Sequence, residues 1–366
     1  MRFSCVKANL ERAAGATERF CGKNAALPIL ANILIEADGN AVVLTATNLE
    51  HAVQFRVPAR ISKPGKLCVQ ARTFSSLLQS LDEDQLEADA ERGNLHLRTN
   101  TRESRLNGLS AEDFPIIPKI KKTGTFTVEA GILAGALSRV LPAVSSSEFK
   151  PELAGVFFRV ARDTVTMCAT DTFRLAEYRI PLAKREEEAG EPFILPHRTA
   201  QELVRIVDGM DGAVSMVLGD NQLLAESGAT RMISRLVEGN FPDYQGIIPA
   251  DFTTSAHLSR AEITAGVRAS GIFSSKLQEA TLRLGQKQIE VFSANPEVGE
   301  YRTRLAAAIN GKDIAMSFNW RYLLDGIQAL EEEEIFFGCN QEASPALLRN
   351  KSRADFTYVV MPIRVT

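Results

Sequence analysis

The chain repeats one pattern three times, and this repetition constrains its fold more than any other feature. In each copy a short apolar strand, a small polar turn and a second strand follow one another, at 45–49, 168–175 and 293–296. Such a pattern predicts a β-hairpin, and a repeat at a fixed period has to be recognised before a fold is assigned. The turn alanines Ala46 and Ala169 are 123 positions apart, and the next, Ala294, follows after 125. We therefore predict three copies of one structural unit.

The spacing of apolar residues predicts two helices in each copy, one before and one after the central hairpin. An alternating strand precedes the first helix of each copy, so the fold class is α+β. In the first copy, residues 27–30 are predicted to restart the chain in a strand. The predicted units are 1–122, 123–252 and 253–366, and the predicted helices are 7–19, 72–81, 130–142, 198–207, 259–270 and 320–330.

Several classes of protein are disfavoured by the composition. No run of 18 apolar residues occurs, so no membrane span is expected. The N-terminal residues read as a strand and contain no apolar signal-peptide core. Five cysteines are scattered without a Cys-x-x-Cys pair, so neither a disulfide framework nor a zinc site is expected. A reducing cytoplasm is the expected location.

The sequence also lacks the motifs of common catalytic sites. It contains no phosphate-binding glycine loop, no His-Glu-x-x-His zinc motif and no Gly-x-Ser-x-Gly nucleophile elbow. Asp171 could act as an acid or base, but Asn48 and Asn295 occupy similar places in the other two turns. Asp and Asn side chains hydrogen-bond the backbone of turns, so we predict that Asp171 shapes a turn. We expect no enzyme activity, no metal and no cofactor.

Charge is distributed unevenly between the helices and the rest of the chain. The net charge is −3, the six predicted helices together carry +5, and the remainder therefore carries −8. Basic helices within an acidic shell can hold a polyanion on one surface and repel it from the other. Ordinary solvated helix faces would give the same small counts, and both interpretations stay open at this point.

Four stretches of this sequence resemble the bacterial DNA sliding clamp family, the beta subunit of DNA polymerase III, and the resemblance extends along the whole chain. The stretches are Leu27-Pro28-Ile29-Leu30, residues 169–171 with 174–176, residues 240–244 and residues 358–364. The resemblance implies three clamp domains, with two subunits joined head to tail in a six-domain ring. Helices line the hole and sheets lie outside. Such a ring encircles duplex DNA without sequence specificity and tethers the replicative polymerase, which gives processivity.

The resemblance also implies a pocket for short peptide motifs from the replicative polymerase, the clamp loader, repair polymerases and ligase. This sequence departs from the family at Thr172-Phe173, where Gly-His is usual, and at Gly246, where arginine is common. The implied pocket residues are Leu153, Thr170, Thr172, Phe173, Arg174, Leu175, Pro242, Gly246, Ile247, Leu277, Tyr322, Val359, Met361, Pro362, Ile363 and Arg364.

Two further surfaces follow from the resemblance. The implied DNA contacts are Lys23, Asn24, Arg72, Phe149, Lys150 and Arg198. Ile272 and Phe273 lie beyond the inward-facing stripe of their helix, where they either pack in the core or contact another subunit. In the family this surface meets the first unit of the partner, here near Leu77, Leu78 and Leu106.

Three other functions compete with the replicative clamp. The altered pocket would suit a paralogous clamp that serves repair or resists a clamp-binding inhibitor. A nuclease would show activity on labelled DNA, with or without divalent metal. A repeat-built scaffold for proteins would show no difference between circular and linear DNA.

Overall fold

The computed structural model describes residues 1–22, 26–147, 149–184 and 190–364. It divides into two compact units. The first consists of Met1–Gly131, Ala183–Gly190 and Arg205–Leu236, and the second of Ile132–Leu182, Glu191–Val204 and Val237–Thr366. The division falls inside the predicted second copy, so the boundaries at 122 and 252 stay predictions.

Six α-helices occur in these ranges, and they confirm the six predicted helices with ends that differ by no more than two residues. Polar side chains fix several of their N-termini. Ser259 Oγ accepts from Glu262 N, and Asn319 Oδ1 accepts from Arg321 N and Tyr322 N; such caps satisfy amides that have no partner within the helix. The helices are α1 (Lys7–Glu18), α2 (Ala71–Gln79), α3 (Ala130–Val140), α4 (His197–Val207), α5 (Arg260–Ser270) and α6 (Trp320–Ala329).

The strands, in chain order, are β1 (Arg2–Val6), β2 (Asn32–Asp38), β3 (Ala41–Thr47), β4 (His51–Pro58), β5 (Arg60–Lys63), β6 (Gly65–Gln70), β7 (Gln85–Glu91), β8 (Asn94–Arg98), β9 (Glu103–Leu109), β10 (Gly124–Glu129), β11 (Gly155–Val160), β12 (Thr164–Thr170), β13 (Arg174–Pro181), β14 (Phe193–Pro196), β15 (Ala213–Leu218), β16 (Gln222–Ser227), β17 (Thr230–Arg235), β18 (Thr254–Ser259), β19 (Glu279–Leu284), β20 (Gln288–Asn295), β21 (Gly299–Ala306), β22 (Ala308–Gly311), β23 (Ile314–Asn319), β24 (Glu334–Cys339), β25 (Ala346–Asn350) and β26 (Phe356–Val360).

The three predicted hairpins are confirmed as antiparallel pairs of neighbouring strands. They are β3 with β4, β12 with β13, and β20 with β21. The first unit holds one sheet, in the order β10-β15-β16-β17-β4-β3-β2-β6-β9-β8-β7-β1-β5. The second holds a sheet in the order β14-β11-β12-β13-β26-β25-β24-β18-β22 and another in the order β21-β20-β19-β23.

The core of the first unit lies between its sheet and two helices. Leu10 on α1 and Phe74 on α2 are fully buried against Ile35 and Leu44 of the sheet. Leu78 belongs to the same core and has no exposed surface. The prediction that Leu78 contacts a partner subunit is therefore wrong, because its side chain packs inside its own unit.

The prediction of a strand at residues 27–30 is also wrong. Pro28–Ala31 forms a short 3-10 helix, and the strand begins only at Asn32. Proline suits a first helical turn because its fixed φ matches the turn and its missing N–H is not needed there. The Asn32 side chain donates to the carbonyl of Pro28 at 2.9 Å and stabilises the turn.

All five cysteines are free thiols, as the absence of a Cys-x-x-Cys pair predicted. Burial raises the pKa of Cys5 to about 11 and the pKa of Cys21 to about 12, the latter with the help of nearby Glu18. Within the described ranges, no helix has both the length and the apolar content needed to cross a membrane.

Candidate functional site

The turn between β12 and β13 is built by its own side chains. Asp171 Oδ1 accepts from the amides of Phe173 and Arg174, both at 2.9 Å. Thr170 Oγ1 donates to the carbonyl of Arg174 at 2.7 Å and accepts from Thr172 N at 3.2 Å. These bonds hold Thr172 at φ 76°, a left-handed conformation that L-residues seldom adopt. The predicted role of Asp171 as a turn residue is confirmed.

The strand near the C-terminus lies directly beside this turn. β13 and β26 are antiparallel, with Leu175 opposite Val359. Met361 N donates to the carbonyl of Phe173 at 2.8 Å, which extends the contact past the end of β26. The turn and the end of β26 therefore meet at one place, and Pro242 lies there as well.

A cavity of about 260 Å³ opens at this place, and we name it the partner pocket. Its size is near the lower end of ligand sites, and its mixture of apolar walls and a few polar groups is typical of them. Its lining residues are Lys150, Glu152, Leu153, Thr170, Thr172, Phe173, Arg174, Leu175, Pro242, Tyr244, Ile247, Val359 and Met361.

Most of the predicted pocket residues are among those that line the cavity. Six are not: Gly246, Leu277, Tyr322, Pro362, Ile363 and Arg364. Tyr322 instead lies beneath the guanidinium of Arg174, 4.1 Å from it to the ring centroid. Ile363 N donates to the carbonyl of Ser317 at 2.7 Å, away from the lining.

Three lining residues were not predicted, namely Lys150, Glu152 and Tyr244. Tyr244 ends the stretch 240–244, one of the four stretches that carry the family resemblance. Lys150 and Glu152 flank Pro151 at the short helix Pro151–Leu153, whose last residue was predicted. Proximity in sequence to predicted residues was the signal that could have identified all three.

The Arg174 side chain makes contacts on three sides at the partner pocket. Its Nε donates to Asp171 Oδ2 at 2.9 Å, its Nη1 donates to Asp325, and its face covers the ring of Tyr322. Only 11% of the side chain is exposed. An arginine held on three sides is a fixed wall of the pocket, because its guanidinium cannot turn without losing charged hydrogen bonds.

A buried polar pair supports the floor of the pocket. Tyr244 is 1% exposed, and its hydroxyl donates to Glu177 Oε2 at 2.7 Å. Burial is the main cause of the raised pKa of Tyr244. Phe157, Leu175 and Val359 pack around this pair in one hydrophobic cluster. The pair stabilises the floor, since its hydroxyl and carboxylate satisfy one another.

Apolar side chains remain exposed at the rim of the pocket. Phe173 is 60% exposed and Ile247 is 49% exposed. Leu277 is 61% exposed, although it does not line the cavity. Exposed apolar groups around a concave site are typical of surfaces that bind other proteins.

The predicted DNA contacts are distributed over both units. Arg72 is exposed on α2 in the first unit, and Arg198 is exposed on α4 in the second. Phe149 is 96% exposed beside Lys150, which also lines the partner pocket. Lys23 and Asn24 lie outside the described residues. Within those residues, no cluster of three or more His, Cys, Asp or Glu side chains could hold a metal ion.

The predicted subunit contacts are partly exposed. Ile272 is 70% exposed, and Phe273 stacks on Tyr301 with ring centroids 6.1 Å apart. Leu77 and Leu106 are half-buried against the core of the first unit.

Family profiles match nearly the whole chain. The profile described as the DNA polymerase III beta subunit, N-terminal domain, matches residues 1–118. The central-domain profile of the same subunit matches residues 127–243, and the C-terminal-domain profile matches residues 245–364.

Similar proteins match over their full length. The beta sliding clamp of Synechocystis sp. is 29% identical, and the match covers 100% of both chains. The crystal structure of the Bacillus subtilis DNA polymerase sliding clamp has a TM-score of 0.95 at 26% identity, with 100% of each chain covered. A Pseudomonas aeruginosa sliding clamp bound to griselimycin has a TM-score of 0.95 at 27% identity, also with full coverage.

Proposed function

The chain belongs to the DNA polymerase III beta subunit family, and we infer from this membership that it is a bacterial sliding clamp. It is a non-catalytic processivity factor that encircles duplex DNA and tethers polymerase. The observation that carries this conclusion is the match of all three repeated domains, in order, along nearly the whole chain. As a chromosome-replication protein of bacteria, it is expected in the cytoplasm.

We propose that two subunits close a ring head to tail, and the strand pairing between copies supports this. The first and second copies join where β4 pairs with β17, and the second and third join where β13 pairs with β26. By the same repeat, β21 of the third copy would be the next strand to pair. It stands at the edge of its sheet.

The strand that would receive β21 lies in the first copy of another subunit. Residues 103–107 of β9 pair with β8 on one side, and the pairing of β9 with β6 involves only Gly108 and Leu109. An edge strand left open invites another chain. A β21–β9 pairing repeated twice would close a symmetric ring and leave neither edge open. Leu106 lies on β9, and Tyr301, which stacks on Phe273, lies on β21.

We propose that six residues contact DNA within the ring: Lys23, Asn24, Arg72, Phe149, Lys150 and Arg198. The lysine and arginine side chains among them would contact DNA phosphates, which carry no sequence information. Contacts of this kind permit movement along the duplex. Closure of the ring then supplies the residence time, because a closed ring leaves DNA only at an end.

The partner pocket is proposed to bind short peptide segments of the replicative polymerase, the clamp loader, repair polymerases and ligase. Its fixed arginine and buried floor give an apolar anchor a preformed cavity, which lowers the entropic cost of binding. Phe173 at the rim enlarges the apolar surface beyond what the usual histidine would offer. Gly246 provides no charge where arginine is common in the family.

Retention on DNA of different topology tests the function. The protein is loaded by its clamp loader onto nicked circular plasmid, passed through a gel-filtration column, and then assayed after linearisation. We expect co-elution with circular DNA and release within minutes after cutting. Equal retention on circular and linear DNA, or none on either, would refute the clamp function.

A further inference from the structure

A second cavity, of about 330 Å³, lies at the junction between the first and second copies, and we name it the repeat-one cleft. All of its lining belongs to the first unit. It opens beside the turn between β3 and β4, at the place that corresponds by sequence to the partner pocket. Its lining includes Leu49, Glu50, His51, Ile116, Ile233 and Arg235.

The turn beside the cleft reproduces the turn beside the partner pocket bond for bond. Thr47 Oγ1 donates to the carbonyl of His51 at 3.0 Å and accepts from Leu49 N at 3.0 Å. Asn48 Oδ1 accepts from the amides of Glu50 and His51 at 3.0 and 2.9 Å. Leu49 has φ 76°, the same value as Thr172.

The flanking strand is also in the same register. Ala52 lies opposite Ile233, as Leu175 lies opposite Val359. Arg235 N donates to the carbonyl of Glu50 at 2.8 Å, as Met361 N donates to that of Phe173 at 2.8 Å. The backbone therefore builds the same concave site twice, once at each junction between copies.

The side chains differ, and the difference concerns charge. His51 stands in place of Arg174, Glu50 in place of Phe173, and Arg235 in place of Met361. Arg235 is exposed, and no side-chain ion pair of Arg235 occurs in the part of the chain that the structure describes. The cleft therefore has apolar walls, one carboxylate (Glu50) and one cation (Arg235), and a negatively charged ligand can meet the cation.

A neighbouring cavity of about 420 Å³ extends the cleft, because Ile117, Pro118 and Ile233 line both. It adds the exposed cations Lys119 and Arg231, the latter paired with Glu226 at 2.6 Å. Apolar groups also remain open to the solvent, since Ile116 is 94% exposed and Leu49 is 47% exposed. Two joined cavities have room for more than one side chain of a ligand.

From this geometry we propose that the repeat-one cleft is a second peptide-binding site, which takes an extended, acidic protein segment with neighbouring apolar side chains. The apolar side chains enter between Leu49, Ile116 and Ile233, and the acidic groups meet Arg235 and Lys119. Opposite charges at the rim select the ligand and speed its arrival. The site has different selectivity from the partner pocket, so one clamp can hold two kinds of segment. The inference uses the partner pocket as a geometric template and does not require that polymerase binds there.

Site-resolved NMR of isoleucine methyl groups on the full chain tests the proposal. Ile116, Ile117 and Ile233 report the cleft, and Ile247 reports the partner pocket. The probe is an acetylated hexapeptide, Glu-Asp-Leu-Leu-Phe-Gly, and its control carries Gln-Asn in place of Glu-Asp. We expect saturable shifts of the three cleft methyl groups with the acidic peptide, and binding weaker by about tenfold with the neutral one.

Two variants make the result specific. Arg235→Glu should weaken the cleft titration by about tenfold, because a like charge replaces the attraction. Arg162→Glu, the same reversal at an exposed turn arginine, should leave it unchanged. Ile116→Asp, at a position 94% exposed, removes an apolar wall without disturbing the core and should also weaken binding.

The proposal is overturned if the cleft methyl groups show no saturable shift, or if Arg235→Glu titrates like the wild type. Shifts that depend on protein concentration alone would assign the cleft to a second copy of the chain and also overturn it. Failure of the partner pocket is a separate result: Ile247 would then stay unmoved by a polymerase peptide while the cleft still responds to the hexapeptide.

Discussion

Replacement of Arg174 by alanine should loosen the turn of the partner pocket more than any surface arginine could. Breaking a buried ion pair by removal of one partner costs about 3–5 kcal/mol. Arg174 is 11% exposed, and its partners Asp171 and Asp325 are 14% and 36% exposed. Asp171 keeps two backbone hydrogen bonds after the change. We therefore expect Arg174→Ala to lower the free energy of local opening of the turn by about 3 kcal/mol, the lower end of the range.

Hydrogen exchange of single amides is the suitable assay, because it measures local opening and does not require the three domains to unfold together. The Met361 amide reports the contact between the turn and the end of β26, through its bond to the carbonyl of Phe173. The matched control is Arg98→Ala. Its partner Glu103 is also 2.9 Å away, but the two side chains are 51% and 60% exposed, so the loss should stay below about 1 kcal/mol.

A double-mutant cycle separates the contribution of Asp325. Asp325→Asn alone should cost about 1 kcal/mol or less, because this carboxylate is partly solvated. In the background of Arg174→Ala, Asp325→Asn should leave the free energy of local opening unchanged, because the guanidinium that pairs with Asp325 is gone. If Arg174→Ala changes the protection of the Met361 amide by no more than the Arg98 control does, burial does not strengthen this network.

Four further outcomes are expected. Ile272→Ala with Phe273→Ala should shift the dimer toward folded monomer in sedimentation, since loss of central anchors costs about 2 kcal/mol or more; a double variant that stays dimeric at nanomolar concentration contradicts the interface. Lys23→Glu with Lys150→Glu should weaken DNA binding equally on unrelated sequences and flatten the salt slope by about one per lost phosphate contact; a loss that depends on base sequence contradicts sliding. Phe173→Ser should weaken binding of a labelled polymerase peptide in fluorescence anisotropy, whereas Phe149→Ser should not, because Phe149 does not line the pocket; equal effects would remove Phe173 from the site. Iodoacetamide at pH 8 should label the native protein far more slowly than the protein in urea. The reactive thiolate forms only as the pH approaches the raised pKa values, which are about 11 for Cys5 and about 12 for Cys21.

Features set by neighbouring residues were predictable from the sequence. The role of Asp171 followed from the chemistry of a short polar side chain in a turn, and the same reasoning covered Asn48 and Asn295. Their side chains accept from backbone amides two residues further along the chain, as the structure confirms. The helices were predictable because apolar periodicity is a property of one segment.

Features set by tertiary contact were not predictable. Leu77 and Leu78 are adjacent and equally apolar, and only the phase of α2 against the core decides that Leu78 is buried while Leu77 is half-exposed. Tyr322 carries a family role, but its ring is covered by Arg174, a contact that crosses 148 positions of sequence. Lys150 carries the charge expected of a DNA contact, but it lines the partner pocket. Sequence alone does not distinguish between these two roles.

The pairing of strands at each junction between copies has an evolutionary consequence. Those junctions are made by main-chain amides and carbonyls, which every amino acid except proline supplies. Mutations that alter the lining of a concave site leave the junction beneath it intact. After an ancestral duplication, the two concave sites could therefore diverge in their ligands while the geometry of each junction stayed the same. The size of the ring and the set of proteins that it binds could then evolve separately.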